Sequence, residues 1–246
     1  MIGRFRLGDE VLTGIVEGER VVVDRGLYCD TYTLDDLVTL PPVAPSKIVC
    51  VGLNYIDHAR ELEMELPDYP MIFLKPPSAV IGHDDMIVYP PESQHVDHEA
   101  ELAVVIGKRC RNVPATHAGG VILGYTCFND VTARDIQQED GQWTRAKSFD
   151  TFAPLGPFVV RAESVDISNA YIRSRVNGQL RQDSSVNNMI FDIPALIEFI
   201  SHIMTLEKGD IIATGTPAGV GQLYSVDMVE RGIECVGTLE NEVFKA

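Results

Sequence analysis

The chain has 246 residues, with 36 acidic against 20 basic side chains and a net charge of −16. That excess excludes nucleic acid or an anionic membrane surface as the main partner, and it means that an anionic substrate would need a locally positive site. Five cysteines (Cys29, Cys50, Cys110, Cys127 and Cys235) without any CxxC spacing argue for a reducing compartment and against a disulfide frame or a zinc site.

In chain order, no basic-then-apolar leader opens the sequence, and no apolar run reaches the ~18 residues of a membrane span, so a cytoplasmic protein is expected. Residues 1–45 read as a small β-rich unit: "RFRLGDEVLTGIVEGERVVVD" alternates and is punctuated by Gly8, Gly14 and Gly18. The Pro-rich "TLPPVAPSK" then leads into a main domain over residues 46–246. After the apolar run "KIVCVGLNY", Asn54 is placed to cap a short helix, "YIDHARELEM", with Asp57 near its third position. Strands "MIFLKP", "EAELAVVIGKR" and "YTCFND" follow, with a short helix after Pro114 and a mixed segment from Val131 to Asp150. The clearest helix is "DIPALIEFISHIM", capped by Asp192 and striped by Ile193, Leu196, Ile197, Ile200 and Met204. Short strands dominate elsewhere, without the strand–helix alternation of a doubly wound sheet, so the fold is mainly β with a few helices.

The chemistry begins at "VDHEAELAVVIGKR". Residues two apart on a strand share a face, about 6.6 Å apart, so Glu99 and Glu101 would repel one another. A third carboxylate, Asp130, ends the strand "GYTCFND". Three oxygen ligands without a nearby Cys suit a hard cation such as Mg²⁺, which keeps waters for a substrate to displace. The plainer alternative is a solvated strand face, although the apolar "LAVVIG" that follows is unlike an exposed strand. Arg134 and Gln137 would share a face if their segment is helical, and so would His58 and Glu61. A Glu beside a His raises its basicity, and such a dyad can take a proton from water. The Gly-rich "TGTPAGVG" around Thr216 is neither GxGxxG nor a P-loop. The remaining histidines, His83, His95, His98, His117 and His202, read as structural or surface residues, and Cys127 as core.

The segments "GLNYIDHARE", "FLKPPSAVIG", "DHEAELAVVIGKRCRNV", "GYTCFNDVTARDIQ", "WTRAKSFDTFAPLGP", "VNGQLRQD" and "LEKGDIIATGTPAGVG" occur in the order found in the fumarylacetoacetate hydrolase family. From about residue 47 onward the chain resembles that family's short, single-module branch. The resemblance implies a mixed β-roll, usually a homodimer, in which Glu99, Glu101 and Asp130 hold Mg²⁺, with Mn²⁺ or Ca²⁺ as substitutes. It places Lys147 beside the metal, with Lys75 as a further candidate near the site. Arg134, Gln137 and Thr216 come at a small anionic 2-oxo acid substrate, and His58 with Glu61 lies on a lid that activates water. The implied activity is acylpyruvate hydrolysis or oxaloacetate decarboxylation through a metal-bound enolate. The alternatives are a 2-hydroxyhepta-2,4-diene-1,7-dioate isomerase and, outside enzymes, a metal-dependent 2-oxo acid binding protein.

Overall fold

The computed structural model describes residues 1–245. Its framework is a twelve-stranded sheet, a five-stranded sheet and a three-stranded sheet, so the expected mainly β architecture is present. The strands Ile2–Leu7, Glu10–Glu17, Arg20–Asp24 and Cys29–Thr33 form a meander with its own small core of Phe5, Leu12, Val16, Val21, Val23 and Leu37. The first of these also pairs with Ala153–Arg161, through Ile2 opposite Val159, and so joins the large sheet.

The centre of that sheet positions the site. Ala100–Ile106 lies between Ile122–Asn129 and Ile211–Ala213, antiparallel to both, and all seven of its residues are buried. A strand covered on both faces favours an unbroken apolar run, which explains why "LAVVI" does not alternate. Ile211–Ala213 runs parallel to Ile48–Val51, which in turn pairs with Ile72–Lys75. One face of the sheet packs through Leu102 and Cys127 against Ile172, Ile233 and Leu239 of the five-stranded sheet and against the helix α4, Ile193–Ile203.

Helix α4 begins as the sequence indicates: the Asp192 carboxylate accepts from the Ala195 N–H at 2.9 Å, and Ile193, Leu196, Ile197 and Ile200 are buried. Met204 falls just past the helix end and is half-buried. The segment after Pro114 is a 3₁₀ helix, Ala115–Val121, and the mixed stretch resolves into helices α2, Arg134–Asp140, and α3, Thr144–Lys147.

Helix α1, Ile56–Glu61, departs from the expected capping. Its N-cap is Tyr55, without a side-chain bond, and it ends at Glu61 rather than running on to Met64. Asn54 is instead a buried tie. Its amide donates to the Phe191 and Thr214 carbonyls at 3.1 and 2.7 Å and accepts from the Phe191 N–H at 2.8 Å. Three hydrogen bonds to two distant residues outcompete one exposed helix N–H for a buried amide that must be satisfied. Asp57 is not a capping-box partner either: its Oδ2 accepts from the Ser184 hydroxyl at 2.5 Å, which fastens α1 to the five-stranded sheet. Among the described residues no helix is long and apolar enough to cross a membrane.

Candidate active site

Glu99 sits between the strands Val96–His98 and Ala100–Ile106, and Glu101 lies at the start of the latter. The period-two geometry puts both carboxylates on one face, with His98 on the other. Asp130 follows the neighbouring strand, and its N–H donates to the Glu99 carbonyl at 2.9 Å, which closes the three acids into one corner. A carboxylate oxygen from each lies within 4.8 Å of the others, and all three residues are buried.

Burying three anions together needs compensation. Lys147 donates to Glu99 at 3.0 Å and to Asp130 at 2.6 Å, and Lys75 reaches the other Asp130 oxygen at 2.5 Å. Arg134 forks between Asp97 at 2.8 Å and Glu99 at 2.5 Å. Burial works against the Lys147 ammonium, but Asp130 and Glu99 outweigh it and hold its pKa above the usual value. Burial likewise penalises the Glu99 anion, and Lys147 and Arg134 reverse the sign, so Glu99 stays ionised. Glu101 has no such partner. Its hydrogen bond comes from the Gly215 N–H at 2.9 Å, and burial together with Asp130 and Glu99 pushes its pKa well above normal.

That imbalance is where a dication fits. With all four buried carboxylates ionised (Asp97 included), as a bound dication would favour for Glu101, three buried or half-buried cations leave a formal charge of minus one; a divalent ion makes it plus one, complementary to a monoanionic substrate. Counting only the triad and Lys147 from sequence predicts neutrality; Lys75, Arg134 and Asp97 change the sum. The all-oxygen donor set suits Mg²⁺ or Mn²⁺. Glu101→Gln should therefore weaken Mg²⁺ binding about tenfold or more while leaving the fold intact, because it removes a charge that no protein cation holds. Calorimetric titration reads the change, and unchanged affinity would contradict the assignment.

The remaining expected residues converge on the same place. His58, Glu99, Asp130, Arg134, Gln137, Lys147 and Thr216 all line one cavity of about 310 Å³. In α2, Arg134 donates to the Gln137 carbonyl oxygen at 2.6 Å, so the shared helical face is realised. In α1, His58 Nδ1 meets Glu61 Oε2 at 2.9 Å, and the other Glu61 oxygen accepts from the Gly219 N–H at 3.0 Å. The dyad is thus latched to the Gly-rich turn. Gly219 has φ +96°, and a Cβ there would lie 2.1 Å from the Arg181 carbonyl oxygen, so only glycine fits at that latch.

Thr216 lines the cavity, but its hydroxyl is already engaged: it donates to the Ala100 carbonyl at 2.8 Å and accepts from Gln182 at 2.7 Å. Gln182, which sequence reasoning missed, is a buried bracket. It also accepts from the Ala100 N–H at 3.0 Å and donates to the Pro217 carbonyl at 2.8 Å, holding the turn against the ligand strand. Asp97 was also missed; its only sequence signal is its position two residues before Glu99. Gln182→Ala should cost about 1–3 kcal/mol, since it leaves buried groups unpaired. A thermal melt checks this, and an unshifted transition would show that the turn needs no bracket. Cys127 is core, its thiol pushed up to about 12 by burial, and His98 is buried and held down to about 4 by the same effect.

The geometry has known counterparts. The family model described as fumarylacetoacetate (FAA) hydrolase, C-terminal, matches residues 47–244. The chain belongs to the fumarylacetoacetate hydrolase family. An uncharacterized protein of Archaeoglobus fulgidus is 56% identical over 100% of this chain and 96% of its own length. A mitochondrial oxaloacetate tautomerase of Bos taurus is 48% identical over 90% of this chain and 75% of its own. Among solved structures, the 5-carboxymethyl-2-hydroxymuconate delta-isomerase of Mycobacterium smegmatis has a TM-score of 0.93 at 41% identity, covering 100% of this chain and 99% of that one. Maleylpyruvate hydrolase from Sphingobium sp. SYK-6, in complex with manganese(II) and pyruvate, has a TM-score of 0.83 at 30% identity, over 100% of this chain and 99% of that one. The chain therefore belongs to the short, single-domain branch of the family.

Proposed function

We propose that this fumarylacetoacetate hydrolase family member uses water to cleave acylpyruvate-type 2,4-dioxo acids, with Mg²⁺ or Mn²⁺ as cofactor. The carrying observation is that His58, which Glu61 holds at 2.9 Å, lines one cavity with Lys147 and with Glu99 and Asp130 of the acid triad. A divalent ion on Glu99, Glu101 and Asp130 would supply a Lewis acid for the vicinal oxygens of the 2-oxo carboxylate.

The chain's own groups account for the rest. Glu61 orients His58 and stabilises it as it takes a proton from water. The hydroxide adds to the distal carbonyl, the bond between C3 and C4 breaks, and its electron pair enters the pyruvate enolate. Protonation at C3 then releases pyruvate and the carboxylate of the acyl half. Lys147, fixed between Glu99 and Asp130, offsets the negative charge of substrate and enolate. Because the Gln137 carbonyl oxygen is occupied by Arg134, its NH₂ is the end offered to a substrate oxygen.

A second reading has its own support. The Bos taurus relative is an oxaloacetate tautomerase, and tautomerisation or decarboxylation of oxaloacetate passes through the same kind of enolate. There the dyad would relay a proton without delivering water. The Mycobacterium smegmatis likeness supports an isomerase in the same way. A panel with Mg²⁺ separates them: acetylpyruvate, fumarylpyruvate, oxaloacetate followed for both enol–keto exchange and CO₂ release, and a hydroxy-dienedioate. Formation of pyruvate and acetate from acetylpyruvate is the expected result; enol–keto exchange of oxaloacetate without any cleavage would replace it with the second reading.

A further inference from the structure

The active-site cavity has two unlike ends. At the inner end Lys147 and Arg134 are already committed, Lys147 to Glu99 and Asp130 and Arg134 to Asp97 and Glu99. The same cavity is also lined by the apolar Leu62, Met64, Met71, Phe73 and Trp143, with His58, Gln137 and Gln138 as their polar neighbours. Phe73 and Trp143 pack edge to face with centroids 5.2 Å apart, and the Lys147 ammonium lies 5.0 and 5.9 Å from those two rings. These rings mark the boundary where charge ends and apolar wall begins.

Beyond that boundary Leu62, Met64 and Met71 are 50%, 51% and 44% exposed although they line a concave site. Apolar surface in such a place is surface that a bound tail would take out of water. Among the described residues Lys147 and Arg134 are the only Lys or Arg side chains that line the cavity; Arg60 of α1 is exposed and outside that lining. Arg145, close by in α3, is held by Asp140 at 2.6 Å and Glu139 at 3.2 Å, and the segment after α1 adds exposed Glu63, Glu65 and Asp68.

We propose that this site selects 2-oxo acids whose far end is an alkyl or aryl tail lying over Met64, Met71 and Trp143, and rejects those of similar length ending in a second carboxylate. This rests on the keto-acid reading above, which sets the 2-oxo carboxylate at the triad. A terminal carboxylate would lose its water to thioether and ring surface whose neighbouring cation, Lys147, is already paired with Glu99 and Asp130, whereas a methyl or phenyl end gains from the same burial. A single methylene in an apolar pocket is worth about 10–200-fold in discrimination. Oxaloacetate is too short to test the wall, because its second carboxylate stays near the inner end.

Calorimetric titration of the Mn²⁺-loaded protein with pyruvate, 2-oxohexanoate and 2-oxohexanedioate tests this without turnover. The last two have the same carbon count and differ only at the terminal carbon. The expected order is 2-oxohexanoate about tenfold or more tighter than either of the others, with Met64→Arg narrowing the gap by about tenfold through tighter diacid binding. A diacid that binds as well as 2-oxohexanoate, or a six-carbon acid no tighter than pyruvate, overturns the proposal; so does an unchanged gap in the Met64 variant. Binding in the expected order without cleavage of acetylpyruvate upholds it and removes only the hydrolase reading. If none of the three acids binds, the keto-acid reading fails and takes this inference with it.

Discussion

Lys147→Met is expected to lose about 10²–10³-fold or more in turnover on every 2-oxo acid while still binding Mg²⁺. The magnitude is that of removing one preorganised charge from a water-poor site, where charge develops as the enolate forms. The Lys147 side chain is 3% exposed and bridges Glu99 and Asp130, so the substitution also has a structural consequence. Stripping one partner from a buried ion network costs about 3–5 kcal/mol, because it leaves the other charges uncompensated. The metal-free variant should therefore melt well below the native protein, and Mg²⁺ should restore much of the difference, since the ion takes over part of the compensation. Activity, calorimetry and melts with and without Mg²⁺ read the three effects separately. Near-native turnover on any substrate would show that Lys147 neutralises nothing the reaction needs.

The second large effect separates hydrolysis from its alternatives. His58→Asn or Glu61→Gln should reduce acylpyruvate cleavage by about 10²–10⁴-fold, the usual worth of general-base assistance. Loss of CO₂ from oxaloacetate needs no water nucleophile, so it should fall far less in the same variants. Glu61 adds a complication, because it also accepts from the Gly219 N–H and so latches α1 to the Gly-rich turn. Glu61→Gln keeps an oxygen acceptor for that N–H while abolishing the charge, whereas His58→Asn leaves the Glu61–Gly219 contact in place. A latching role alone therefore predicts a small effect from both. Rates on both substrates at saturating Mg²⁺ are the measurement. Equal large losses on the two would show that the dyad protonates the enolate, and equal small losses that it only latches the segment; either result would withdraw the water-activating role.

What could be read from the sequence alone is what short-range geometry governs. The period of two along a strand put Glu99 and Glu101 on one face, and the i, i+3 spacing paired Arg134 with Gln137 and His58 with Glu61. The Asp192 cap and the stripe of α4 follow from the same local rules. Long ordered motifs also pointed to the family before any contact was visible.

Tertiary structure decided whatever depends on which strands become neighbours. Lys75 reaches Asp130 across 55 residues because Ile72–Lys75 pairs with Ile48–Val51, which joins the ligand strand through Ile211–Ala213. Gln182 meets Thr216 and Ala100 only because the five-stranded sheet packs over that strand. Asn54 abandons the cap that its local sequence favours, since burial makes satisfying its amide elsewhere worth more than one exposed helix N–H. The charge of the site changed for the same reason: Asp97 and Lys75 enter the balance through space. The apolar wall of Met64, Met71 and Trp143 comes from three separate segments, and no periodicity relates side chains whose only common feature is the cavity they enclose.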